Sequence, residues 1–192
     1  MLKNKIIIIA ATFLFFGSIY SFAFAENYTA LLALNTNSFY EHKSIVTQAH
    51  LKIPRLNINA VIENTGIMSD GSMGTPKGPD GIAWFSLGVY PGDIGSAVMD
   101  GHSGWKNGRP AVFDNLYKLK KGDKIYFENG KGMTTIFIVR ELRFFNPNEN
   151  VPGVFISNDN LAHLNMITCA GDWNLVTKSH SKRLVVFTDK VI

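Results

Sequence analysis

Cysteine is all but missing from this chain: one residue, Cys169, in 192. A lone thiol cannot close a disulfide within the chain, so no covalent staple holds the fold. Acidic clusters are missing as well. Glu63, Asp70 and Asp114 stand scattered, and dispersed histidines with a single cysteine do not make a closed zinc set, so no metal and no cofactor is expected. A stripe of Lys and Arg interleaved with aromatics is also absent. The net charge is +4, but the lysines are spread out, as at Lys118, Lys120, Lys121 and Lys178, which argues against nucleic-acid binding. Charged residues make up only 18% of the chain against 46% apolar, the balance of a globular domain rather than a disordered one. No internal repeat is evident.

One long apolar run is present. Lys3 and Lys5 precede residues 6–25, which are apolar except for mild interruptions at Thr12, Ser18 and Ser21. Positive charge ahead of an apolar run is the pattern of an export signal, and Ala23-Phe24-Ala25 fits a small-x-small cleavage site. The run is also about 20 residues long, enough to cross a bilayer as a helix. A cleaved signal and a retained membrane anchor both fit, and the length favours the anchor. Either way the rest of the chain is expected outside the cytoplasm. Residues 1–25 are thus read as signal or anchor, 26–50 as a polar linker, and 51–192 as one domain of ample size for a core.

From residue 50 onward, short β-prone runs are divided by Gly, Pro, Asn and Asp. Strands are expected at 51–54, 56–62, 81–85, 95–99, 124–128, 134–145, 164–168 and 183–188. Asn129-Gly130 marks a hairpin. Residues 110–119 read as a short helix with Pro110 in its first turn. About eight strands with one or two short helices point to a mostly β fold, a closed or nearly closed barrel, preceded by the N-terminal hydrophobic helix.

Three residues stand out for their chemistry. Cys169 follows the β-prone Met166-Ile167-Thr168 and precedes Ala170-Gly171, which reads as a strand end before a small-residue turn. An unassisted cysteine is only slightly ionised at neutral pH, so a reactive one needs a basic or cationic neighbour. His102, in Asp100-Gly101-His102-Ser103-Gly104, follows the buried strand 95–99 and carries the side chain whose charge changes most readily near neutrality. It can share the thiol proton and deliver one to a leaving amine. Arg183 opens the last strand, and a fixed guanidinium stabilises the oxyanion of acyl transfer or holds a substrate carbonyl. His42, His50, His163 and His180 are assigned no role. Trp105 and Trp173 are candidates for a substrate-groove wall. Asp100 shares a face with His102 and is a candidate to orient it, but a straight strand would hold the two about 7 Å apart, too far for a direct bond without a bend.

The order and context of these residues resemble the sortase family. Asn165-Met166-Ile167-Thr168-Cys169 resembles the family's Thr-Leu-x-Thr-Cys and matches its last two positions. Gly101-His102 resembles the Gly-His that ends a sortase barrel strand, and Arg183 before an apolar run resembles the family's arginine strand. Phe113, Leu116, Leu119, Gly122, Asp123 and Ile125 resemble the F-x-x-L-x-x-L-x-x-G-D-x-I segment. The resemblance runs from about residue 51 to 191, and it is most like the class D, E and F groups. It implies an eight-stranded barrel and a cysteine transpeptidase. Such an enzyme cuts a Leu-Pro-x-Thr-Gly-like sorting signal after Thr, forms a thioester and passes the acyl group to an amine. The amine belongs to a cell-wall precursor or a pilin lysine. It also implies Cys169 as nucleophile, His102 as general acid and base, Arg183 as substrate or oxyanion holder, and Thr168 as a lesser oxyanion or substrate support. L,D-transpeptidases, with Arg close behind the Cys, fit worse, and so do papain-like proteases, with Cys ahead of His. The rival of another class is a non-catalytic, exported β-barrel that binds peptide or glycan.

Overall fold

The computed structural model describes residues 49–191. The expected signal or anchor at 1–25, with its hydrophobic helix, and nearly all of the expected linker at 26–50 lie outside the described residues. Among the described residues, no helix is long and apolar enough to cross a membrane.

The chain forms a closed eight-stranded barrel: β1 (His50–Ile53), β2 (Ile58–Thr65), β3 (Ile82–Phe85), β4 (Gly95–Asp100), β5 (Lys124–Glu128), β6 (Thr134–Phe145), β7 (Ala162–Asn174) and β8 (Ser179–Lys190). Around the barrel the order is β1-β2-β3-β4-β7-β8-β6-β5, and β5 closes onto β1. Two neighbouring pairs, β2–β3 and β4–β7, run parallel, and the rest run antiparallel. Parallel neighbours cannot be joined by a tight hairpin, so long connections must cross the barrel surface.

Alternation along each strand sorts the side chains between two cores. Ala97 and Met99 of β4, Leu164 and Met166 of β7, and Leu184 and Val186 of β8 point inward to the main core with Phe127, Phe137 and Val139. The intervening residues point outward. Val98, Val185 and Phe187 are nevertheless buried there, in a second apolar cluster with Val154. Met73 from the 66–81 connection, together with Val151 and Val154 from the 146–161 connection, supplies its cover. This doubly buried sheet explains why 95–99 and 183–188 read as nearly continuous apolar runs.

Two local expectations change. Residues 110–119 form tight turns ending in a 3-10 turn at Leu116–Lys118, not an α-helix. The buried side chains there, Phe113, Leu116 and Leu119, recur every third residue, and the backbone bonds run from i+3 to i, as from Leu116 N to Phe113 O and from Leu119 N to Leu116 O. A period of 3.0 is that of a 3-10 spiral. Second, Cys169 does not end its strand, nor does Arg183 open its own, because β8 already begins at Ser179. β7 continues to Asn174 as a long hairpin with β8, and the pairing register shifts between Ala170 and Trp173. Gly171, at φ 74°, absorbs that bulge, a backbone shape a side chain would strain.

Candidate active site

The strand registers build the site. Cys169 on β7 is the direct partner of Arg183 on β8, and Ile167 partners both Asp100 on β4 and Val185 on β8. Paired residues share a face, so Cys169, Arg183 and Asp100 all lie outside the barrel, in rows that continue the second apolar cluster. The β4 ladder runs one residue past the strand, because Gly101 N donates to Ile167 O at 3.2 Å. His102 follows β4 by two residues, on the side of β4 that borders the Cys169 strand. Cys169 and Arg183 are direct partners, and the His102 segment leaves the neighbouring strand beside them.

His102 is held from several sides. Thr168 Oγ1 donates to Gly101 O at 2.7 Å, and Phe113 N donates to His102 O at 2.9 Å. Its Nε2 lies 2.8 Å from Pro76 O, in the 66–81 connection, and its ring packs against Trp105 at 4.7 Å between centroids. The connection that presents Pro76 is itself anchored, since Lys77 N donates to Glu63 Oε1 of β2 at 2.6 Å. Gly101 leaves room for all this: a β-carbon there would overlap the buried Phe113 ring. Thr168, buried and on the inward face, spends its hydroxyl on the Gly101 carbonyl and so ties the His102 segment to the Cys169 strand.

Arg183 is partly buried, and its Nη1 donates to the carbonyls of Lys182 at 3.0 Å and His180 at 3.3 Å. His180 in turn bonds Gly171 O through Nδ1 at 2.9 Å and packs on Trp173 at 5.2 Å. Trp173 is thus part of the hairpin beyond the bulge, while Trp105 flanks His102. Unassigned in the sequence, His163 is buried with Nδ1 2.8 Å from Asp189 and Nε2 3.0 Å from Asp159, far down β7 from the thiol. Among the described residues, no group of three or more His, Cys, Asp or Glu is placed to hold a metal ion.

Three influences act on the thiol. Burial pushes the Cys169 pKa up, the Arg183 charge pulls it down, and Asp100 pushes it up again. The net is upward, so the resting thiol is neutral and needs a base to ionise. Asp100 is the residue that sequence reasoning weighed only as an orienter of His102. Loss of water raises its carboxyl to about 7, against the opposing pull of Arg183. A carboxyl held above its unfolded pKa destabilises the fold as pH rises from about 4 to about 7, and the full cost remains above that. A shift of this size corresponds to a few kcal/mol at most. Asp100→Asn is therefore expected to melt higher than wild type at pH 8, with the gain vanishing below pH 4. Thermal melts across pH check this, and a gain equal at pH 4 and pH 8 would contradict it.

A family model for the sortase domain matches residues 51–191. The fold is similar to that of sortase A from Corynebacterium diphtheriae, in a lid mutant, with 25% identity, a TM-score of 0.60 and coverage of 76% of this chain and 70% of that one. It is similar to sortase C-1 from Actinomyces oris at 24% identity and a TM-score of 0.59, covering 75% and 73% of the two chains. It is also similar to a pilus-related sortase C of Group B Streptococcus at 22% identity and a TM-score of 0.58, covering 76% and 68%. These are sortases of classes A and C, not of the D, E and F groups that the sequence was expected to resemble most. No curated protein sequence matches.

Proposed function

The chain belongs to the sortase family of cysteine transpeptidases, and we propose that it cuts a Leu-Pro-x-Thr-Gly-like sorting signal through a thioester on Cys169. The observation that supports this most is the juxtaposition of Cys169, paired directly with Arg183, and the Gly101–His102 segment that leaves β4 and is tied by Thr168 to the Cys169 strand. His102 takes the thiol proton, and the Sγ thiolate attacks the Thr carbonyl carbon. The carbonyl π electrons move to oxygen, where a guanidinium donor from Arg183 meets the charge. Nη1 is already fixed by two carbonyls, so the fork is oriented before substrate arrives. When the oxyanion collapses the C–N bond breaks, and imidazolium His102 gives its proton to the departing Gly nitrogen. An incoming amine, from a cell-wall precursor or a pilin lysine, then attacks the thioester. Its proton passes to His102, the C–S bond breaks, and the amide is released with the thiol restored.

The proposed setting is extracytoplasmic, with residues 1–25 tethering the enzyme to the membrane and sorting-signal proteins as its substrates. Trp105, packed on His102, and Trp173, on the hairpin, are proposed to flank the bound peptide.

The test uses a library of Leu-Pro-x-Thr-Gly-like peptides with hydroxylamine, followed by mass spectrometry. Expected are a hydroxamate truncated after Thr and, without hydroxylamine, an acyl adduct on Cys169. Intact peptides throughout, from protein whose thiol still alkylates, would sink the proposal.

A further inference from the structure

The row beside the thiol carries a charge that the chemistry above leaves idle. Asp100 faces outward from β4, paired with Ile167 and so diagonal to Cys169. Along its own strand it shares that face with His102, two residues or about 7 Å further on. Across β7, Arg183 lies on β8, close enough for its charge to act on the carboxyl. On the other flank β3 sets Ala83 opposite it, which brings no charge. Among the described residues, no donor binds the Asp100 carboxyl directly, so it acts on its neighbours through space.

We propose that Asp100 tunes the electrostatics of the Cys169–Arg183 pair: as a carboxylate it adds to the effect of burial on the thiol and offsets Arg183, and as the neutral acid it withdraws both influences. This rests on Cys169 being the reacting thiol. The signs follow from charge alone. A negative group disfavours a second negative group on Cys169. At about 7 Å through a partly solvated medium, one unit charge moves a neighbour's titration by about one pH unit. The direction agrees with the upward push of Asp100 on Cys169, and its own pKa of about 7 puts the changeover in the working range of an exported enzyme. Asp100 is thus a positioning residue for charge, not a group that touches the peptide.

The experiment measures alkylation of Cys169 by iodoacetamide from pH 5 to pH 10, on the full chain without peptide. The midpoint is expected to fall by about one pH unit in Asp100→Asn and in Asp100→Ala, and to stay at the wild-type value in Asp100→Glu. In peptide cleavage by Asp100→Asn, the alkaline limb of kcat/KM is expected to move to lower pH by a similar amount. The acid limb moves less, because wild-type Asp100 is already protonated there. Equal alkylation midpoints in wild type and both uncharged variants would overturn the proposal. A shifted midpoint in protein that cleaves no peptide would uphold it and count instead against the transpeptidase reading of Cys169.

Discussion

Cys169→Ala is expected to abolish peptide cleavage, a loss of at least about 10⁴-fold, while the barrel stays folded. The first half rests on chemistry: no other thiol exists in the chain, and no neighbouring hydroxyl replaces it, since Thr168 faces inward with its hydroxyl bonded to Gly101. The second half rests on geometry. Cys169 faces outward at the margin of the second apolar cluster and is only partly buried. Deleting one sulfur there opens no cavity in the main core, so the stability change should stay within about 1 kcal/mol. Cleavage kinetics and a thermal melt on the same sample read both halves. Wild-type cleavage by the alanine variant would end the covalent mechanism.

His102→Ala is expected to lower kcat/KM by about 10²- to 10⁴-fold, the range for losing a positioned acid and base. The thiol sits above its ordinary pKa, so without a base almost none of it is ionised at neutral pH. Asp100 is the competing base, because its carboxyl titrates near 7 on the same face. The two variants separate the possibilities. If His102→Ala keeps wild-type cleavage while Asp100→Asn loses it, the carboxylate is the base and imidazole is a bystander. The expected pattern is the reverse, with iodoacetamide reactivity at pH 7 also falling in His102→Ala.

The eight strands were legible because alternation and turn residues are local properties. β5 and β6 coincide with their sequence-derived bounds, and the Thr134–Phe145 run needed only its β-branched and aromatic content to be read. The hairpin beyond Cys169 was not legible. Ala170-Gly171-Asp172 has the composition of a turn, and only pairing with β8 converts it into a bulge. The 110–119 segment misled for a related reason: its apolar period of three sits close to the helical 3.6 over so few residues. His102, Cys169 and Arg183 stood out in the sequence because each borders a β-prone run, although Cys169 and Arg183 lie inside longer strands. Asp100 could not be placed, because its effect depends on β4 lying beside β7, a pairing of segments more than 60 residues apart. Strand alternation alone does put Asp100 on the His102 face, and that was the available signal.

The parallel union of β4 with β7 also dictates when the site comes into being. β5, β6 and both long connections must be laid down before β7 can meet β4, and the loop that closes is entropically slow. Cys169 is synthesised ahead of β8, the strand that carries Arg183. A nascent chain therefore exposes a thiol with neither base nor cation beside it. Under the proposed function, the elements that would act on a peptide come together only when the barrel closes, so acyl transfer is a property of the finished fold and not of the thiol by itself.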